Sequence, residues 1–460
     1  MNTLTLKLAA AAAMMVLASQ QIFAVELKSG EKDLGKADVQ LKAIHVLDAR
    51  NNGYDPRTGT AYLVKLKYET PSWKGLNLGL GFYNNGDLFN LTDFNKPNKK
   101  VARGLFVEDD GDEKSLMGEA YLRYRGSKFS IDGGRRLYST PLTTITYNLM
   151  PNFHTLVEAT TTAVPDTVLS LSQIFRMSFG SRAMTDFGLI GEGTGTAGAT
   201  VRPDTIGQAD FHSIGKISLG QDAENKGTNG ITVFGATYSG FKNVVGFKKI
   251  DLSLWNYYSD DISNNLYLQA DTIYPIKALK LKLGAQYLYQ TDVGDSKAGD
   301  LKFHLSGIKA TLAGKGWAVF GAYNHSSSGD GNGFHNAYGS DPAYTSTIFS
   351  RNEYRKDVDA YQVGVKYKNL KYKVLKPFTV IAKYSYYGES DSVGRVSGVG
   401  TNLTAQDDAD EFDLIWLYKP PELKDLTVKL FTAWRTSEYN GSNGQQLKQR
   451  HTRLIADLKF

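Results

Sequence analysis

The sequence predicts an all-β protein: a transmembrane, antiparallel, up-and-down β-barrel of about eighteen strands with an inward-folded constriction loop. Three observations predict it. Segments of roughly nine to fifteen residues alternate apolar and polar side chains with the strand period of two. The connections between them alternate short and long. Finally, this 460-residue chain carries 46 Gly and 27 Tyr at a mean hydropathy of −0.33. Past its N-terminus, no stretch approaches the ~20 apolar residues of a spanning helix.

The elements follow in chain order. Residues 1–24 place Lys7 before an apolar run from Leu8 to Ala18, then a polar bend at Ser19–Gln21 and a small Ala24. This is the layout of a secretory signal peptide, so the sequence predicts export and a single barrel over 25–460. In 60–69, Tyr62, Val64, Leu66 and Tyr68 share one parity, opposed by Lys65, Lys67 and Glu69. In 116–125, Ala120, Leu122 and Tyr124 oppose Glu119, Tyr121, Arg123 and Arg125. The same alternation recurs in 279–289 and 425–435. Strands are expected near 38–46, 60–69, 75–84, 116–125, 127–137, 153–162, 167–177, 229–240 and 243–258. They continue near 263–274, 279–291, 301–313, 316–327, 358–369, 374–388, 410–419, 425–439 and 446–460.

Such lengths exceed the five or six residues usual in soluble sheets and suit a tilted strand crossing a bilayer. Short links such as GS, AVPD and AGKG alternate with long ones, of which 85–115, 138–152, 178–228, 328–357 and 389–409 are the main external loops. Tight turns at one end and long loops at the other are the barrel signature. Tyr83, Tyr124, Tyr257, Tyr258, Tyr386 and Tyr387 fall near strand ends, where aromatic girdles are expected. The last segment ends on Phe460 with Leu458, Ala456 and Leu454 on its parity. It resembles the C-terminal signal read by outer-membrane assembly machinery.

With the aliphatic parities facing lipid, Lys65, Lys67, Arg123, Arg125, Lys128, Arg136, Arg176, Lys366, Lys368, Lys383, Lys429 and Arg435 face the bore, together with Glu119, Asp132 and Asp251. A row of fixed cations in a narrow bore draws in anionic solutes. Equally, wall carboxylates can pair with them and leave only scattered charge. Residues 138–152, YSTPLTTITYNLMPN, are apolar for an external loop. Leu142, Ile145, Tyr147, Leu149 and Met150 lie between Pro141 and Pro151, so this loop is expected to fold inward.

These residues carry a resemblance. The run GEAYLRYRGSKFSIDGGRRL (118–137), the proline-bracketed loop and the strand restarting at Phe153 resemble the OprD-type outer-membrane porins, the substrate-specific channels of Gram-negative bacteria. The resemblance implies an eighteen-stranded barrel in the outer membrane that passes small carboxylate-bearing solutes. It also implies that Leu149, Met150 and Pro151 enter the constriction opposite a basic ladder, for which Arg123, Arg125, Arg136 and Arg176 are the candidates. Met150 stands where that family carries a leucine.

Other classes fit poorly. There is no cysteine, so thiol nucleophiles, disulfides and Fe–S sites are excluded. Lys+Arg 53 against Asp+Glu 47 is too balanced to argue for nucleic acid. Gly193 to Gly198 matches GxGxxG without the strand and helix a dinucleotide needs. Residues 108–113, EDDGDE, lack the spacing of a calcium loop and suit loose contact with divalent ions or lipopolysaccharide. Seven histidines show no HExxH. Neither an enzyme nor a cofactor is expected, and no plug domain fits before the first strand. Membrane lipid, lipopolysaccharide and small anionic or zwitterionic solutes are the expected partners. Subunit number stays open, a homotrimer included, because lipid and subunit contacts use the same apolar residues. The alternative in another class is a surface adhesin or structural barrel with little channel activity.

Overall fold

Alternation of side chains is realised as one continuous sheet in the computed structural model. It describes residues 26–29, 32–51, 56–94, 101–102, 105–108, 111–143, 149–178, 180–181, 209–219, 228–327, 334–335, 338, 340–347, 352–369, 378–390, 393–394, 404–439 and 446–460. The expectations that rest on residues 1–24, on Tyr147 and on the 193–198 glycines lie outside them.

Eighteen barrel strands are present: β1 (Lys32–Arg50), β2 (Arg57–Glu69), β3 (Leu76–Asp87), β4 (Lys114–Arg125), β5 (Phe129–Arg136), β6 (Phe153–Thr161), β7 (Thr167–Ser178), β8 (Ile231–Val244) and β9 (Phe247–Ser259). The second half comprises β10 (Ser263–Ile276), β11 (Leu279–Thr291), β12 (Lys302–Gly314), β13 (Trp317–Ser327), β14 (Asp359–Lys368), β15 (Thr379–Tyr387), β16 (Thr404–Tyr418), β17 (Leu426–Tyr439) and β18 (Leu447–Lys459). Each pairs antiparallel with the next, as in β7 with β8. The cylinder closes where β1 meets β18, in register from Gln40↔Lys459 to Arg50↔Gln449. Closure leaves no open edge, the condition lipid imposes on a spanning sheet. Phe460 completes the seam: its N–H donates to Val39 O at 2.8 Å, and Val39 N–H donates to Phe460 O at 3.1 Å.

Every expected strand is present. β1 is the least well anticipated, since it begins at Lys32 instead of near residue 38. Residues 36–39 lack clear alternation, yet they pair with the end of β2, Lys36 opposite Glu69. A short extra strand, Glu26–Ser29, folds back on the start of β1. Two-residue strands at His212–Ser213 and Val393–Gly394, and a helix at Ile214–Leu219, complete the regular structure around the long loops.

The two faces differ as period two requires. Leu66, Leu122, Leu171, Ile308 and Val363 are each more than half exposed on the outer wall. Asn77, Ser172, Gln286, Ser385 and Asp413 are buried on the inner one. Adjacent tyrosines must therefore separate, and the girdle expectation is corrected accordingly. Tyr124, Tyr258 and Tyr386 are exposed outside, whereas Tyr83, Tyr257 and Tyr387 are buried inside. Tight turns close one end. Between β8 and β9 only Val245 and Gly246 intervene, and both adopt positive φ, 50° and 81°, as a type I′ hairpin turn demands.

Candidate functional site

The bore is narrowed by loops that fold back into it. In the 138–152 loop, Leu142, Leu149 and Met150 are buried. Leu142 N–H donates to Tyr257 Oη at 3.2 Å, and that hydroxyl donates to Thr140 Oγ1 at 2.9 Å. Met150 N–H donates to Ser181 Oγ at 2.9 Å, and Pro151 beside it is half-buried. The inward packing expected of this loop is therefore present at both of its described ends.

Two further inward segments were not anticipated. Val101, Leu105, Phe106 and Val107 pack on Ile44, Val46, Ala61, Leu63 and Tyr83 of β1–β3. Residues 334–335, 338 and 340–347 line the opposite side. There, Thr345 N–H donates to Asn324 Oδ1 at 3.0 Å, and its carbonyl accepts from Gln362 at 3.1 Å and Tyr387 at 2.7 Å. Ser340 Oγ donates to Pro141 O, so the two loops touch. The only signal was the apolar residues Val101, Leu105, Phe106, Phe334 and Tyr338, scattered through long polar loops.

The charged residues form two distinct walls. On β2–β6 every central cation has a carboxylate. Lys65 Nζ lies 2.7 Å from Asp38, and Lys67 Nζ lies 2.6 Å from Glu119. Glu119 is itself buried and also accepts from Tyr83 Oη at 2.6 Å. Arg123 grips Asp132 at 2.7 and 3.1 Å and reaches Glu69 at 3.5 Å. Arg136 reaches Asp132 at 3.5 Å and pairs with Glu158. Lys65, Lys67, Glu119, Arg123, Asp132 and Arg136 are thus brought together, with little net positive charge left over. Arg125 stays exposed at the short-turn end. Arg176 does not join: a bulge at Phe175 pairs it with Thr155 while Ile174 pairs with Leu156, and Arg176 donates to Phe211 O at 3.3 Å. Simple parity counting misses such a bulge.

The second wall runs over β12, β15, β17, β18 and β1. Lys309, Lys383, Lys429, Arg453 and Lys42 face the bore there. Lys429 lies within electrostatic reach of Arg453, Lys383 and Asp413, Lys309 of Lys383 and Asp271, and Lys42 of Asp457, Lys459, Arg453 and Lys429. Lys383 pairs with Asp413 at 3.2 Å and donates to Ser346 O of the inward loop at 3.3 Å. Among the described residues no carboxylate stands within ion-pair distance of Lys309 or Lys429. Lys383, Lys429 and Arg435 are legible from parity. Lys42, Lys309 and Arg453 were missed, although Lys309 lies on the parity opposite the exposed Ile308. The acidic run is only partly described: its Glu108 pairs with Lys114 at 2.8 Å.

No family model matches the chain, and no curated protein matches it. Solved structures do. *Acinetobacter baumannii* OccAB3 superposes at TM-score 0.70 with 14% identity, covering 92% of this chain and 98% of that one. The chain shares the OccAB3 fold. *Pseudomonas aeruginosa* OccK8 (OprE) gives TM-score 0.70 at 15% identity over 94% and 99% of the two chains. *P. aeruginosa* OpdK, solved with vanillate, gives 0.69 at 16% over 92% and 98%. These are OprD/Occ structures, the group that residues 118–151 resemble, and the likeness is one of fold.

Proposed function

We propose that the protein is an OprD-type porin of the Gram-negative outer membrane, exported by residues 1–24, that passes small carboxylate-bearing or zwitterionic solutes by passive diffusion. The observation that carries this reading is the run of cations Lys309, Lys383, Lys429, Arg453 and Lys42 along one wall of a closed, loop-narrowed bore. Fixed positive charge in a low-dielectric constriction replaces part of a carboxylate's hydration and so favours its entry. Leu142, Leu149, Met150 and Pro151 supply the apolar edge of the constriction. The paired wall of Lys65, Lys67, Arg123, Arg136, Glu119 and Asp132 supplies polar groups with little net charge. Vanillate, the ligand with which OpdK was solved, is a small carboxylate and supports the solute class.

Lipid would cover the apolar exterior, and the Phe460 strand would be what the assembly machinery engages. Uptake by proteoliposomes, screened over small acids, amino acids and neutral sugars, tests the reading. Acids should enter faster than sugars of similar size. Replacing Lys383 and Lys429 with Gln should remove that advantage. A barrel that admits nothing would favour the adhesin or structural alternative.

A further inference from the structure

We propose that Phe431 is a positioning residue of the basic track, holding Lys429 in place beside Arg453 without cancelling the charge of Lys429. This rests on reading the bore as an anion-favouring path. Phe431 lies on the inner face of β17, only 2% exposed, directly opposite Arg453 of β18. Lys429 Nζ stands 5.2 Å from the ring centroid, and the Arg453 guanidinium carbon stands 5.5 Å from it. His451 stacks on the same ring at 6.0 Å and 27°, and its Nε2 accepts from Arg453 Nε at 2.6 Å.

Like charges placed side by side repel and need something to hold them. On β2–β6 carboxylates do this, and they neutralise the cations in the process. An aromatic face attracts a cation through its quadrupole while bearing no net charge. Lys429 is therefore held over Phe431 with its field still directed into the bore. Lys309 repeats the device, with its Nζ 5.9 Å from the Phe320 ring and 5.8 Å from the Tyr344 ring. Two separate rungs held by rings make the arrangement a feature of the track, beyond one local contact.

Bilayer recordings in a KCl gradient on the wild type, Phe431→Leu, Phe431→Trp, Phe320→Leu and Lys429→Gln test this, with heat-modifiability on gels reporting folding. The wild type should prefer Cl⁻. Phe431→Leu should lower the Cl⁻/K⁺ permeability ratio about two- to fivefold, the factor expected for losing an aromatic face over a cation, and Phe431→Trp should retain it. A folded Phe431→Leu barrel with the wild-type ratio, beside a lowered ratio for Lys429→Gln, would overturn the role of the ring and leave the track standing. Wild-type K⁺ preference would overturn both. Should Phe431→Leu fail to assemble, Phe320→Leu decides at the second rung: a lowered ratio supports the device and an unchanged one overturns it.

Discussion

At the scale of single residues, the paired wall turns on Glu119. Its carboxylate receives Lys67 and the Tyr83 hydroxyl at 2.6 Å each, while only 1% of the residue is exposed. Glu119→Gln keeps an acceptor for Tyr83 but removes the charge that cancels Lys67. The reversal potential should then move toward anions, in the direction opposite to Lys429→Gln. A shift toward cations would mean that Lys67 does not face the permeation path. Arg123→Gln should act the other way, because Asp132 and Glu69 lose their partner; an unmoved potential would remove Arg123 from the site. Much of this wall was legible: parity alone put Lys65, Lys67, Glu119, Arg123 and Asp132 on the inner face. What parity cannot supply is the partner across the sheet. That Asp38 would meet Lys65, or Glu158 meet Arg136, depends on register over strands distant in sequence. Arg176 fell to a one-residue bulge, which leaves no mark in the alternation.

At the scale of elements, the inward loops pack against the barrel wall, and their attachments are open to test. Leu142 is fully buried against the Tyr257 wall. Leu142→Ala should cost about 2–5 kcal/mol of the docking of the 138–152 loop. In single-channel records this should appear as frequent excursions to a larger conductance; a steady wild-type level would mean that the loop does not set the aperture. The 334–347 loop adds a pH dependence. His335 is half-buried, its Nε2–H donates to Ser218 O at 3.0 Å, and desolvation of the ring holds the imidazole below its ordinary 6.5. The folded pKa lies under the unfolded one, so this stabilisation is complete above about 6.5 and is lost as pH falls toward the lower folded value. Acidification should loosen the loop and increase open-channel noise, and His335→Gln should flatten that response. Equal noise at pH 7 and pH 4.5 in the wild type would refute it. The 138–152 loop was legible because its apolar residues stand between two prolines. The segments at 101–107 and 334–347 carry comparable apolar residues dispersed through longer polar stretches, so they read as ordinary external loops.

At the scale of the whole molecule, the cylinder depends on the seam between β1 and β18. Phe460 contributes two backbone hydrogen bonds to Val39, and its buried ring packs with Leu426 and Leu458. Removing Phe460 gives up ~1.5–3 kcal/mol of apolar burial in addition to those bonds. The unfolding temperature of the reconstituted barrel should drop, and a variant as heat-resistant as the wild type would argue against the seam. Strand number, order and closure were legible because bilayer thickness fixes strand length and alternation fixes the face. Why the central cations of β2–β6 meet carboxylates while Lys309 and Lys429 have none within ion-pair distance was not legible, since that depends on which carboxylates the closed sheet brings opposite each cation. The most direct test of the account is the reversal potential of the purified wild-type barrel in a planar bilayer under a KCl gradient. Discrete ohmic steps that reverse on the Cl⁻ side are the predicted result; a silent bilayer, or reversal on the K⁺ side, would contradict it.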